Sequence, residues 1–116
     1  MSYSYLPQLM SFVRHNKCEE MCEVLDNDRV FIDAQDEQGN TLLMVAAQNN
    51  NRKIVKALLR RGASANIKNL NGDTALHHAF GLSYMDLGNY LIQKAAADDT
   101  ALNSSGLTPY EVQLER

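Results

Sequence analysis

The sequence lacks the signatures of chemistry. It has no phosphate-cradling glycine loop followed by lysine, no G-x-S-x-G and no H-E-x-x-H, so nucleotide, nucleophile-elbow and zinc-hydrolase motifs are all missing. Its acidic pairs, Glu19-Glu20 and Asp98-Asp99, are sequence neighbours rather than carboxylates opposed across a cleft. We therefore expect no catalytic residue, no cofactor and no enzyme activity. There are only two cysteines, Cys18 and Cys22, which excludes a disulfide-built scaffold and fits a reducing compartment. No stretch approaches the roughly 20 apolar residues of a membrane span. The segment from Met1 to His15 interrupts its apolar positions with Tyr, Ser, Pro and Gln, unlike a secretory signal. The expectation is a cytoplasmic protein, with the nucleus left open. An excess of charge is missing too. The net charge is −3, with both signs interspersed, which argues against a nucleic-acid or membrane partner.

What is present is a period. The pairs Gly39/Thr41, Gly72/Thr74 and Gly106/Thr108 recur at almost constant spacing. A period in this range marks an array of small supersecondary units that stack in a line. The stretch 36–68 shows one unit most clearly. Gly39 suits a tight turn with positive φ, and Thr41 suits an N-cap. Leu42, Leu43, Val45, Ala46 and Ala47 predict a short apolar helix ending near Asn49. A second helix is predicted over about 52–61. Ile54, Val55, Leu58 and Leu59 line one face, and Arg52, Lys53, Lys56, Arg60 and Arg61 line the other. Gly62 is placed for a left-handed C-terminal cap.

These residues resemble the ankyrin repeat, a β-turn followed by two antiparallel helices with a T-P-L-H-x-A signature. The matching stretches are Thr41 to Ala47, Thr74-Ala75-Leu76-His77-His78-Ala79 and Thr108-Pro109-Tyr110-Glu111, with Leu58-Leu59-Arg60-Arg61-Gly62-Ala63 closing a unit. The signature proline survives only as Pro109 and the histidine only as His77. The resemblance implies an all-α ankyrin-repeat solenoid of helix-turn-helix units joined by β-turn or hairpin-like loops. Four units are expected in one domain: a degenerate N-terminal unit over about 3–35, then 36–68, 69–102 and a partial unit over 103–116. One period upstream of the second unit, Leu9, Met10 and Val13 take the positions of Leu42, Leu43 and Ala46. The same step puts Met21, Cys22 and Leu25 at those of Ile54, Val55 and Leu58, and Ile32-Asp33 at those of Ala65-Asn66.

Departures from the register carry their own expectations. Phe80 stands where the second unit has Ala47, and Gly88 where it has Val55. We expect the Phe80 ring to cover Gly88, since packed interiors hold their volume. Ala95 stands where Gly62 stands one unit earlier, either as a left-handed alanine or with the turn relaxed by the extra residue that follows.

The same resemblance implies a function of binding another protein, as a monomer, through the turn tips and the inner helices. By register the contact residues are Glu37, Gln38, Asn40, Gln48 and Asn49 in the second unit. In the third they are Leu70, Asn71, Asp73, His78, Gly81 and Leu82, and in the first Tyr5, Gln8, His15 and Asn16. Leu70 and Leu82, with Tyr5 and His78, would form an apolar anchor inside a polar rim. His77 would tie its turn to the capping threonine. The basic stripe on the second helix is a solvated face or a site for phosphate or an acidic partner. Cys18 and Cys22, one helical turn apart, fall short of the four ligands of tetrahedral zinc. No metal is expected, and Cys22 reads as a small core residue. The segment from His77 to Glu111 resembles the closing unit of larger multidomain proteins, which favours a recruiting module. A small sequestering protein and a self-associating element are the alternatives.

Overall fold

The computed structural model describes residues 5–28 and 30–114. Among these residues seven helices follow one another: α1 (Leu6–Arg14), α2 (Cys18–Asn27), α3 (Leu42–Gln48), α4 (Arg52–Arg60), α5 (Ala75–Gly81), α6 (Met85–Ala95) and α7 (Pro109–Leu114). Among the described residues there is no strand. The helices form two layers. α1, α3, α5 and α7 stand side by side, and α2, α4 and α6 back them. The molecule is elongated, 40 × 25 × 22 Å.

The helices α3, α5 and α7 each follow a turn built on one side chain. Asp36 Oδ1 accepts the N–H groups of Gln38 and Asn40. Asn69 does the same for Asn71 and Asp73, and Asn103 for Ser105 and Leu107. Asp and Asn fold the backbone back on themselves in this way. The following glycines have φ of 81°, 75° and 76°. At Gly39 a Cβ would stand 2.9 Å from Leu70 N, and at Gly72 2.7 Å from Ser104 N, so close stacking of the turns also requires glycine. The turns are joined by Leu70 N–H donating to Gln38 O (3.0 Å) and Ser104 N–H to Asn71 O (2.9 Å).

The capping threonines behave as their sequence positions predict. Thr41 accepts from Met44 N, and Thr74 from His77 N. The Thr74 N–H donates to His77 Nδ1 at 3.1 Å. Nδ1 is therefore the acceptor, and Nε2 carries the proton that His77 donates to Leu107 O at 3.0 Å. His77 thus closes its own cap and also joins the third unit to the fourth. Thr108 and Glu111 form the same reciprocal arrangement at α7, with Thr108 N–H donating to Glu111 Oε1.

The core is aliphatic, with Leu9, Met21, Leu43, Ile54, Leu58, Leu76 and Leu91 buried along its length. Phe80 is fully enclosed. A Cβ on Gly88 would overlap its ring at Cε1, Cδ1 and Cζ, so the expected pairing of ring and glycine is present. Tyr110 of α7 stacks on the same ring, with centroids 5.1 Å apart.

Two register assignments need correction. The left-handed residue after α6 is Ala96, φ 53°, not Ala95, which is still helical. α6 is longer than α4, so helix absorbs the extra residue and moves the cap along. In the first unit the helices lie one position further upstream than the period predicts. The left-handed residues between paired helices are Asn16, Asn50 and Ser83. Lys17 and Asn51, the N-cap residues of α2 and α4, correspond. Met21 therefore takes the place of Val55, and Cys22 that of exposed Lys56. Cys18 is the buried thiol and Cys22 is half-buried. The arm after α2 returns to the expected register. There Asp33 Oδ1 accepts from Ser64 N (2.9 Å), as Asn66 Oδ1 accepts from Asp98 N (2.8 Å).

Candidate functional site

The turn tips and the exposed side of the first helices form one continuous surface. At the tips Glu37, Gln38, Leu70 and Asn71 are exposed. Leu70 has 75% of its surface open to solvent. Asn40 and Asp73 are half-buried and already engaged. Asn40 Oδ1 accepts from Asn69 Nδ2 (2.9 Å), and Asp73 Oδ1 from Asn103 Nδ2 (3.0 Å). These two act between turns, which leaves their neighbours to face outward. Further along, the Gln48 amide lies 3.4 Å from His78 Nδ1, and Asn69 Nδ2 lies 3.5 Å from His78 Nε2. Gln48, His78 and Asn69 thus form a half-buried polar group behind the tips.

Most of the remaining candidates lie at the far ends of the helices. His15, Asn49 and Leu82 are the C-cap residues of α1, α3 and α5. Gly81 is buried within α5. Leu70 precedes α5 and Leu82 follows it, so about 10 Å of helix separates them. They do not join Tyr5 and His78 in one anchor cluster. Tyr5 is half-buried against the core at the start of α1, Gln8 is exposed on α1, and Asn16 accepts from Asn51 Nδ2 at 2.7 Å.

The corrected register of the first unit makes Arg14, not His15, the counterpart of Gln48 and Gly81. Arg14 is hidden in the sequence because Leu9 and Met10 fit either alignment, whereas Asn16 and Asn50 fit only one. Arg14 lines an open cleft of about 620 Å³ between α1 and the turn at 35–38. Leu6, Pro7 and Met10 form its apolar floor, and Asp36 and Glu37 bring carboxylates to the opposite rim.

The basic stripe on α4 has structural partners. Lys53 Nζ lies 3.1 Å from Glu19, and Arg61 grips Asp26 in bidentate fashion at 2.8 and 2.9 Å. Hydrogen bonding to these cations holds the Glu19 and Asp26 carboxyls below their ordinary range. Arg52 and Lys56 both lie over the Tyr90 ring, 5.5 Å from its centroid. Burial, followed by the neighbouring Cys22, pushes the Cys18 thiol above its ordinary value. That opposes the thiolate a metal would need.

Stacked turns, reciprocal threonine caps and paired helices repeating over nearly the whole chain agree with the comparison to known families. The sequence model for ankyrin repeats (three copies) matches residues 9–104. The chain belongs to the ankyrin-repeat family. It is similar to a putative ankyrin repeat protein of fowlpox virus, 34% identical over 114 residues, 94% of this chain and 33% of that protein. It is also similar to the mouse B-cell lymphoma 3 protein homolog, 33% identical over 100 residues, 85% of this chain and 22% of that protein. A 69-residue stretch is 38% identical to human transient receptor potential cation channel subfamily A member 1, covering 60% of this chain and 6% of the channel. The chain spans a third or less of the length of these relatives. Ankyrin repeats are generally protein–protein interaction modules and typically non-catalytic. No helix among the described residues is long and apolar enough to cross a membrane.

Proposed function

We propose that this ankyrin module recruits a partner protein without catalysis, through its turn tips and the inner faces of α1, α3 and α5. The observation that carries the proposal is Leu70. A large apolar side chain stands open at a tip whose backbone is fixed by its bond to Gln38. An anchor held in place before binding avoids much of the ordering cost of association. Glu37, Gln38 and Asn71 give it a polar rim, with Gln48 and His78 behind. The Arg14 cleft extends the surface toward the first unit. The two free cysteines suit work in the reducing cytoplasm.

The test is affinity capture with matched variants, each checked for helicity and melting temperature. Leu70→Asp should weaken capture by about tenfold or more, as loss of a central anchor does. Leu82→Asp, at the far end of α5, should weaken it much less. A folded Leu70→Asp protein that captures the same partner as the wild type would overturn the reading.

Self-association is a second reading. Gly39 and Gly72 abut the next turn, whereas a Cβ at Gly106 would meet no atom of the described residues within 4 Å. The fourth turn therefore offers a stacking face to another copy. Sedimentation that depends on concentration would support this reading, and a constant monomer would exclude it.

A further inference from the structure

The opposite wall, formed by the second helices, carries a separate feature. Helix α4 and its C-cap hold Arg52, Lys53, Lys56, Arg60 and Arg61, five of the chain's 11 basic residues. No acidic residue occurs between Glu37 and Asp73. Lys53 and Arg61 turn toward α2, where Glu19 and Asp26 meet them. Arg52 and Lys56 turn the other way, toward Tyr90 of α6. On this flank an open groove of about 500 Å³ runs between α4 and α6. Lys56, Arg60 and Lys94 form its rim, and Leu59 and Tyr90 its half-buried floor. Among the described residues no ion pair joins Arg52, Lys56, Arg60 or Lys94 to a carboxylate. Asp86, one turn before Tyr90, forms none either.

We infer that the α4–α6 groove docks an acidic segment of a partner protein. This site lies beyond the turn-tip surface proposed above, on the other wall of the solenoid. Three observations point the same way. α4 already binds carboxylates along its other edge, where α2 contributes Glu19 and Asp26 in matching register. Arg52 and Lys56, one helical turn apart, converge on a single ring, and like charges so placed repel each other. An incoming carboxylate relieves that repulsion. The groove also has an apolar floor, which suits a peptide better than a bare ion. A long phosphodiester strand fits less well, because α2 borders the basic strip with Glu19, Glu20, Glu23 and Asp26.

The experiment is an amide-resolved NMR titration of the whole chain at low salt, with a hexaglutamate peptide in one arm and inorganic phosphate in the other. The peptide should shift the amides of Arg60, Tyr90 and Lys94. Arg60→Glu should weaken binding about tenfold, as loss of a rim charge facing an opposite charge does. Lys17→Glu makes the same change in net charge at the α2 N-cap and should weaken it less than about twofold. Leu70→Asp should leave the affinity unchanged, which separates this site from the turn tips. Equal weakening by Arg60→Glu and Lys17→Glu would mean diffuse attraction and overturn the inference. So would phosphate binding as tightly as the peptide, shifts confined to the turn tips, or no shifts at all.

Discussion

Gly88 has no side chain because Phe80 occupies its space. Alanine there would gain about 1 kcal/mol of helix propensity. Against this, overpacking typically costs about 1–3 kcal/mol, and the Phe80 ring is held from its other side by Tyr110. Packing should win, so Gly88→Ala is expected to lower the melting temperature. Phe80→Ala with Gly88→Val recreates the pair that the second unit uses at Ala47 and Val55. This double variant should be less destabilised than the sum of its single changes, by about 1 kcal/mol or more. Equal additive losses in thermal or denaturant melts would contradict the coupling. Ala96 gives the opposite case. It is exposed and left-handed, where a Cβ costs roughly 1–2 kcal/mol. Ala96→Gly should raise stability by about 1 kcal/mol, read as a higher midpoint in urea.

At the scale of the element, each turn depends on one short polar side chain. Asn69 accepts two backbone N–H groups and donates to Asn40 in the preceding turn. Net contributions of about 0.5–1.5 kcal/mol per bond give an expected loss of about 2–3 kcal/mol for Asn69→Ala. Asn69→Asp keeps both acceptor bonds, as Asp36 does in its own turn, and should lose less. Denaturant melts of the two variants check the order. The Asp or Asn shortly before each glycine was visible as a repeat all along. Its role was not, because the glycine–threonine pair drew the alignment and the Asx turn shows only in the backbone bonds. The helices were legible for a simpler reason. Apolar spacing, a capping threonine and a terminal glycine act within a few residues of one another, so α3 and α4 fall where those signals place them.

For the whole molecule, the first unit is tied to the second by Glu19–Lys53 and Asp26–Arg61 as well as by its core. The Asp26 carboxyl is held below its ordinary range by the Arg61 guanidinium. A depressed folded pKa gives stability that is present above the unfolded value, near 4, and lost as pH falls through the folded value. Wild type should therefore exceed Asp26→Asn in melting temperature at neutral pH, and the gap should close below about pH 4. A gap that persists in strong acid would assign the effect to something other than the ion pair. The candidate site was legible only in part. Leu70 was found because nothing in the repeat required an apolar residue there. Arg14 was missed because one residue of helix length shifts the first unit, and apolar positions alone tolerate that shift.

The sequence by itself determined the repeat, the placement of α3 and α4, the capping threonines and the pairing of Phe80 with Gly88. All of these depend on local backbone preference or on volume within one unit. Tertiary structure alone decided which cations face α2 and which face Tyr90, which polar side chains are consumed between turns, and where Ala96 ends its helix. Those outcomes depend on residues about one repeat apart, brought together only when one unit stacks on the next.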